Sequence, residues 1–170
     1  MPQCQGPGGH RGGRERHDRD QAPYAGNAAA GSGCRPSPGA AHYDGAIGSI
    51  GAARQLTADF LHQLAAEWYA PVSAERMQDV LLVVSELATN AERHSGGPYL
   101  VELEGDAESV RVTVWDSGST LPRVFAPDPL RIGGHGMEIV LRLCDGLTME
   151  LVPVGKRVRA HFDLTRPTVA

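Results

Sequence analysis

The chain has little cysteine, no long apolar run and no excess of basic charge. Its three cysteines, Cys4, Cys34 and Cys144, are scattered and odd in number. That usage argues against a disulfide framework and fits a reducing compartment. No apolar stretch approaches the length of a membrane span. The first residues carry no apolar core of a secretory signal. A cytoplasmic protein with no membrane partner is therefore expected. Sixteen Lys and Arg stand against twenty Asp and Glu, a formal charge of −4. The first 45 residues hold five arginines and four acids, and the rest of the chain eleven basic and sixteen acidic residues. A nucleic-acid binder would show a basic face, and none is visible.

The N-terminal segment also lacks the means to build a core. Residues 1–39 hold nine Gly and five Pro, and the first Val, Ile, Leu, Phe or Trp of the chain is Ile47. Such a segment cannot bury enough apolar area to offset its ordering entropy. Residues 1–39 read as a disordered Gly/Pro/Arg-rich tail, and 40–170 as one domain. Cys4, His10, His17 and Cys34 match no compact zinc spacing.

From there the chain has regular periodicity. A short edge strand is expected over Ala41–Ala46. Ser49 reads as the N-cap of a first helix, striped by Ala53, Leu56, Phe60, Leu64 and Trp68 and stopped by Pro71. Ser73 reads as the cap of a second helix, with Glu75 in its first turn and Gly96-Gly97-Pro98 as its stop. Its apolar face runs through Met77, Val80, Leu81, Val84, Leu87, Ala88 and Ala91. Strands are expected over Tyr99–Glu104 and Ser109–Trp115, then over Leu147–Val152 and Arg157–Leu164. The first pair turns at Gly105-Asp106, the second at Val154-Gly155-Lys156. Between the pairs lie a Pro-rich loop and a third helix around Met137–Cys144. Helices first and hairpin-joined strands later indicate an α+β two-layer sandwich, a mostly antiparallel mixed sheet with helices on one face.

Four features could carry chemistry. Glu86 and Asn90 stand one turn apart on the second helix, where a carboxylate and a carboxamide can handle a proton and ligate a hard cation. Asp116-Ser117-Gly118 ends a strand; Asp116 could accept from an exocyclic amine while Gly118 lets a flat ring approach, or the three form a plain turn. Gly133-Gly134-His135-Gly136 opens the third helix, where free N–H groups can hold an anion. Gly155-Lys156 joins the last two strands. His94 and His135 flank these features and read as packing or hydrogen-bonding residues.

In this order the set resembles the GHKL ATPase superfamily of gyrases, heat-shock chaperones and histidine kinases, which share the Bergerat ATP-binding fold. VVSELATNAERHS, GGHGMEIV and GKRVRAHFDL are most similar to segments of the small bacterial anti-sigma-factor serine/threonine kinases, over roughly residues 41–170. The resemblance implies ATP and Mg²⁺ as cofactors. It implies Asn90 as the Mg²⁺ ligand, Glu86 as general base and Asp116 as the adenine acceptor. It further implies Gly118 beneath the base, Gly133, Gly134 and Gly136 around the phosphates, and a lid over Leu121–Ile132. Its partners would be a sigma factor and an anti-anti-sigma protein of the STAS type, and a homodimer is compatible with it. The alternative is a non-catalytic ATP-dependent switch that sequesters its partner. Three positions depart from the family pattern: Thr120 replaces the second Gly of Asp-x-Gly-x-Gly, Met137 replaces a frequent Leu as a mild core swap, and Lys156 stands where Thr is frequent. Lys156 would then reach a phosphate or point to water.

A chain shortened to begin near Ala40 should fold and bind ATP as the full chain does. Parallel circular-dichroism melts and ATP titrations check this; loss of the melt on truncation would overturn the tail assignment.

Overall fold

The computed structural model describes residues 38–122 and 134–166. Five strands and three helices follow in the order β1 (Gly39–Tyr43), α1 (Ser49–Glu67), α2 (Ala74–Ser95), β2 (Tyr99–Gly105), β3 (Ser109–Asp116), α3 (Gly136–Leu143), β4 (Gly146–Leu151) and β5 (Lys156–Asp163). The strands form one sheet in the order β1-β2-β3-β5-β4, and every pairing is antiparallel. The sheet is thus wholly antiparallel among the described residues, where the sequence allowed a mixed one.

Alternation along the strands sets the two faces. Val101 and Leu103 of β2, Val110, Val112 and Val114 of β3, and Val158, Ala160 and Phe162 of β5 point inward and are buried. Against them pack Ala53, Phe60, Leu61 and Leu64 of α1, the apolar face of α2 and Met137 and Val140 of α3. The opposite face carries cross-strand polar pairs. Trp115 Nε1 donates to Glu102, Arg157 lies over the Trp115 ring at 4.7 Å, and Arg111 pairs with Glu104 at 3.2 Å. The result is the α+β two-layer sandwich expected, with its core between the layers.

Local signals explain most boundaries, and a few expectations need correction. Ser73 Oγ accepts from Arg76 N at 3.0 Å, and Gly96, at φ 64°, ends α2. Ser49 does not cap α1. Gly48 does, in a left-handed conformation, and Ser49 is the first helical residue. The helix ends at Glu67, well before Pro71: Tyr69 takes φ 54° and Ala70 N donates back to Leu64 O at 3.2 Å. The edge strand lies at 39–43, ahead of its expected span, because Gly39–Tyr43 pairs residue for residue with Leu103–Tyr99.

Arg76 at the start of α2 is a buried cation that periodicity did not flag. Its guanidinium donates to Leu143 O at 3.2 Å and Arg166 O at 3.4 Å, and lies 3.6 Å from Asp145. It thereby ties α2 to the end of α3 and the exit of β5. Asp79, beside it, has its carboxyl pKa pushed up by burial, partly offset by Arg76.

Ser73→Ala should lower stability by about 1 kcal/mol through loss of the cap. A fall in the urea midpoint with an unchanged slope is the expected result; an unmoved midpoint would show that the cap contributes nothing.

Candidate functional site

The C-terminal half of α2 faces a cavity. Glu86, Thr89, Asn90 and Arg93, three and four residues apart along one stripe, line a volume of about 520 Å³. His94 continues this wall. Thr120, Leu121 and Pro122 approach from the segment after β3, Gly134, Gly136 and Met137 from the start of α3, and Lys156 from the start of β5. The size suits a small-molecule site, for which roughly 300–1,000 Å³ is usual. Glu86 and Asn90 therefore share one cavity, as their spacing indicated. Thr89 and Arg93 were not singled out from sequence, although the same helical spacing carries them.

α2 is held from behind. The Tyr99 hydroxyl donates to Glu92 Oε1 at 3.2 Å, and its ring stacks on Tyr43 at 5.3 Å between centroids. Burial, then the neighbouring Glu92 carboxylate, push the Tyr99 pKa far up, so the phenol stays a donor. Arg54 of α1 adds a second brace, donating to Leu81 O at 3.0 Å and Ser85 Oγ at 2.7 Å.

Gly136 opens α3 directly against Glu86. A β-carbon at Gly136 would collide with the Glu86 carboxylate. The bare backbone lets this acid lie against the first turn of a helix, where unpaired N–H groups favour negative charge. Gly134 has φ +78°, a conformation that favours glycine, and open space around its α-carbon. Gly133 and residues 123–132 of the expected lid lie outside the described residues. His135 Nδ1 is 3.1 Å from Glu138 Oε2, a local contact within the helix start.

The floor differs from expectation. Asp116 ends β3 and Lys156 begins β5, directly opposite each other in the ladder. Lys156 Nζ donates to Asp116 Oδ1 at 2.6 Å, and the Gly118 N–H donates to the same oxygen at 2.7 Å. Both side chains are 1% exposed. Lys156 therefore does not point to water. It lines the cavity, while Asp116 and Gly118 are not among the lining residues. The group packed against Gly118 is the Lys156 ammonium, which a β-carbon there would strike. Gly155, at φ +90°, fits against the Asp116 carbonyl where any side chain would clash, and this contact sets the hairpin that delivers Lys156.

Among the described residues no cluster of three or more His, Cys, Asp or Glu could hold a metal alone. Asn90 and Glu86 are hard oxygen donors on one wall. Two such donors suit an ion like Mg²⁺, which takes its remaining oxygens from water and phosphate. The α3 N-terminus beside them suits the phosphate.

Comparison with known proteins agrees with this fold. Residues 51–162 match the model of the histidine kinase-like ATPase domain. Among solved structures, the RsbU and RsbW domains of Rv1364c from Mycobacterium tuberculosis align with a TM-score of 0.55 at 14% identity, over 75% of this chain and 32% of that one. The chain spans about a third of that protein's length, and at this identity the likeness is one of fold. No curated protein matches.

Asp116→Ala strands a buried ammonium and should cost about 3–5 kcal/mol of stability. Adding Lys156→Met should recover much of that loss, since the unpaired charge is then gone. Denaturant melts of the parent, both single variants and the double variant test this; a double-variant loss equal to the sum of the two single losses would mean that the pair is not coupled.

Proposed function

The chain belongs to the histidine kinase-like ATPase domain family, and from that membership we propose that it is an ATP- and Mg²⁺-dependent serine/threonine protein kinase acting as an anti-sigma factor. The observation that carries this reading is the single cavity shared by Glu86, Asn90 and the Gly136 end of α3. The proposed partners are a sigma factor, held by the protein, and a small STAS-type antagonist, which receives the phosphoryl group. The proposed setting is the cytoplasm. That the aligned structure carries an RsbW domain supports the choice of pathway.

Placement in one cavity supports the following roles. Asn90 offers a neutral oxygen to Mg²⁺, and the backbone N–H groups at Gly134 and Gly136 hold phosphate oxygens. Mg²⁺, when bound, supplies neutralisation of the charge that builds on the transferred group. Glu86 lies against the same helix end and takes the proton from the attacking hydroxyl. Arg93, three residues beyond Asn90, adds a cation to the cavity wall. Phosphoryl transfer asks for alignment and electrostatic stabilisation more than covalent chemistry, and these groups supply both.

A second reading has its own support. Thr120 lines the cavity where the family pattern has glycine. A site altered there could hold nucleotide and sequester a partner without transfer.

Glu86→Gln separates the two. It keeps shape and removes the base, so ATP affinity should survive while transfer to the cognate antagonist drops by about 10²–10⁴. Asn90→Ala should instead weaken Mg²⁺-ATP binding itself. Radiolabelled transfer with calorimetry on the same samples reads both. A transfer rate indifferent to Glu86→Gln would remove Glu86 from the mechanism, and no transfer by the parent would favour the switch.

A further inference from the structure

Lys156 is the chain's single lysine, and it is 1% exposed. An ammonium carries three N–H donors. One goes to Asp116 Oδ1, the only hydrogen-bond acceptor Lys156 has among the described residues. Two donors therefore remain on a buried side chain that lines the cavity. Leaving such donors unmet is costly, and a ligand acceptor would relieve that cost. Asp116, the group expected to accept from an exocyclic amine, stands behind this ammonium and is absent from the lining.

Resting on the nucleotide-binding reading above, we propose that Lys156 is the base-reading residue of this cavity and Asp116 the residue that positions it. The floor is then donor-type. An ammonium reads acceptors, and the O6 and N7 atoms of a 6-oxopurine lie side by side for it, as they do for Lys and Arg on guanine. Adenine presents N7 beside an amine that an ammonium does not favour. The site accordingly takes GTP or ITP at least as readily as ATP. Gly118 and Gly155 serve this arrangement, since a β-carbon at either would displace the ammonium or the hairpin that carries it.

Calorimetry on the full chain with Mg²⁺ tests the proposal with ATP, GTP, ITP and tripolyphosphate as separate ligands. GTP and ITP should bind within about threefold of ATP or tighter. Lys156→Met should shift the GTP-to-ATP ratio by about tenfold or more toward ATP, the scale of one lost base contact, and leave tripolyphosphate unchanged. A parent that binds ATP but rejects GTP by more than about tenfold overturns the inference alone. So does a variant that loses ATP, GTP and tripolyphosphate alike, because the ammonium would then be serving phosphates. A parent that binds no nucleotide overturns the underlying reading as well. Should Lys156→Met fail to fold, the parent's own ratio decides, together with amine acylation of the native protein. GTP should slow modification of Lys156 and tripolyphosphate should not; the reverse pattern overturns the proposal.

Discussion

The floor of the cavity depends on one ion pair removed from water. Burying a carboxylate and an ammonium together carries a desolvation cost that their attraction offsets only when the geometry is held tightly. Here the β3–β5 register does the holding, with Asp116 and Lys156 as direct partners at the end of the ladder. A slip of one residue would turn Lys156 to the open face and Arg157 inward. Two glycines guard the arrangement from opposite sides, Gly118 beside the ammonium and Gly155 beneath the hairpin. The Asp116–Lys156 end of the cavity is thus a product of sheet pairing, whereas the Glu86–Asn90 end is a product of helix placement.

That placement rests on α2, whose two ends do different work. Its first turn carries Arg76, which clamps the ends of α3 and β5. Its last turns carry Glu86, Asn90 and Arg93 into the cavity. Between them the buried face from Val80 to Ala91 fixes the rotation of the helix over the sheet. With Arg54 and Tyr99 bracing its flanks, Glu86 has little freedom to leave the start of α3. Precision at the acid comes from packing that never touches a ligand.

Much of this was legible in the sequence. The stripe of α2 gave the common facing of Glu86 and Asn90, and alternation gave the inward faces of β3 and β5. The misses have different causes. Arg76 escaped notice because its acceptors lie about 70 and 90 positions away and leave no local mark. Lys156 was assigned to a turn because lysine is rarely buried. Yet the alternation that places Val158, Ala160 and Phe162 inward also includes Lys156, two residues before Val158. The pattern held the answer, and the residue's usual habit outweighed it. Gly48 displaced Ser49 as the cap because residue identity alone does not reveal a backbone already at φ 97°.

The burial of a lone lysine makes the protein a reporter of its own opening. A protease that cuts only after lysine finds one target bond in the whole chain, between Lys156 and Arg157, and in the folded state that bond lies within a paired strand next to a buried side chain. Cleavage must wait for the β4–β5 hairpin to lift from β3. Its rate therefore measures the free energy of that local event when closing outpaces cutting. A composition with one lysine, and a fold that buries it, thus confine the proteolytic clock to the edge of the cavity.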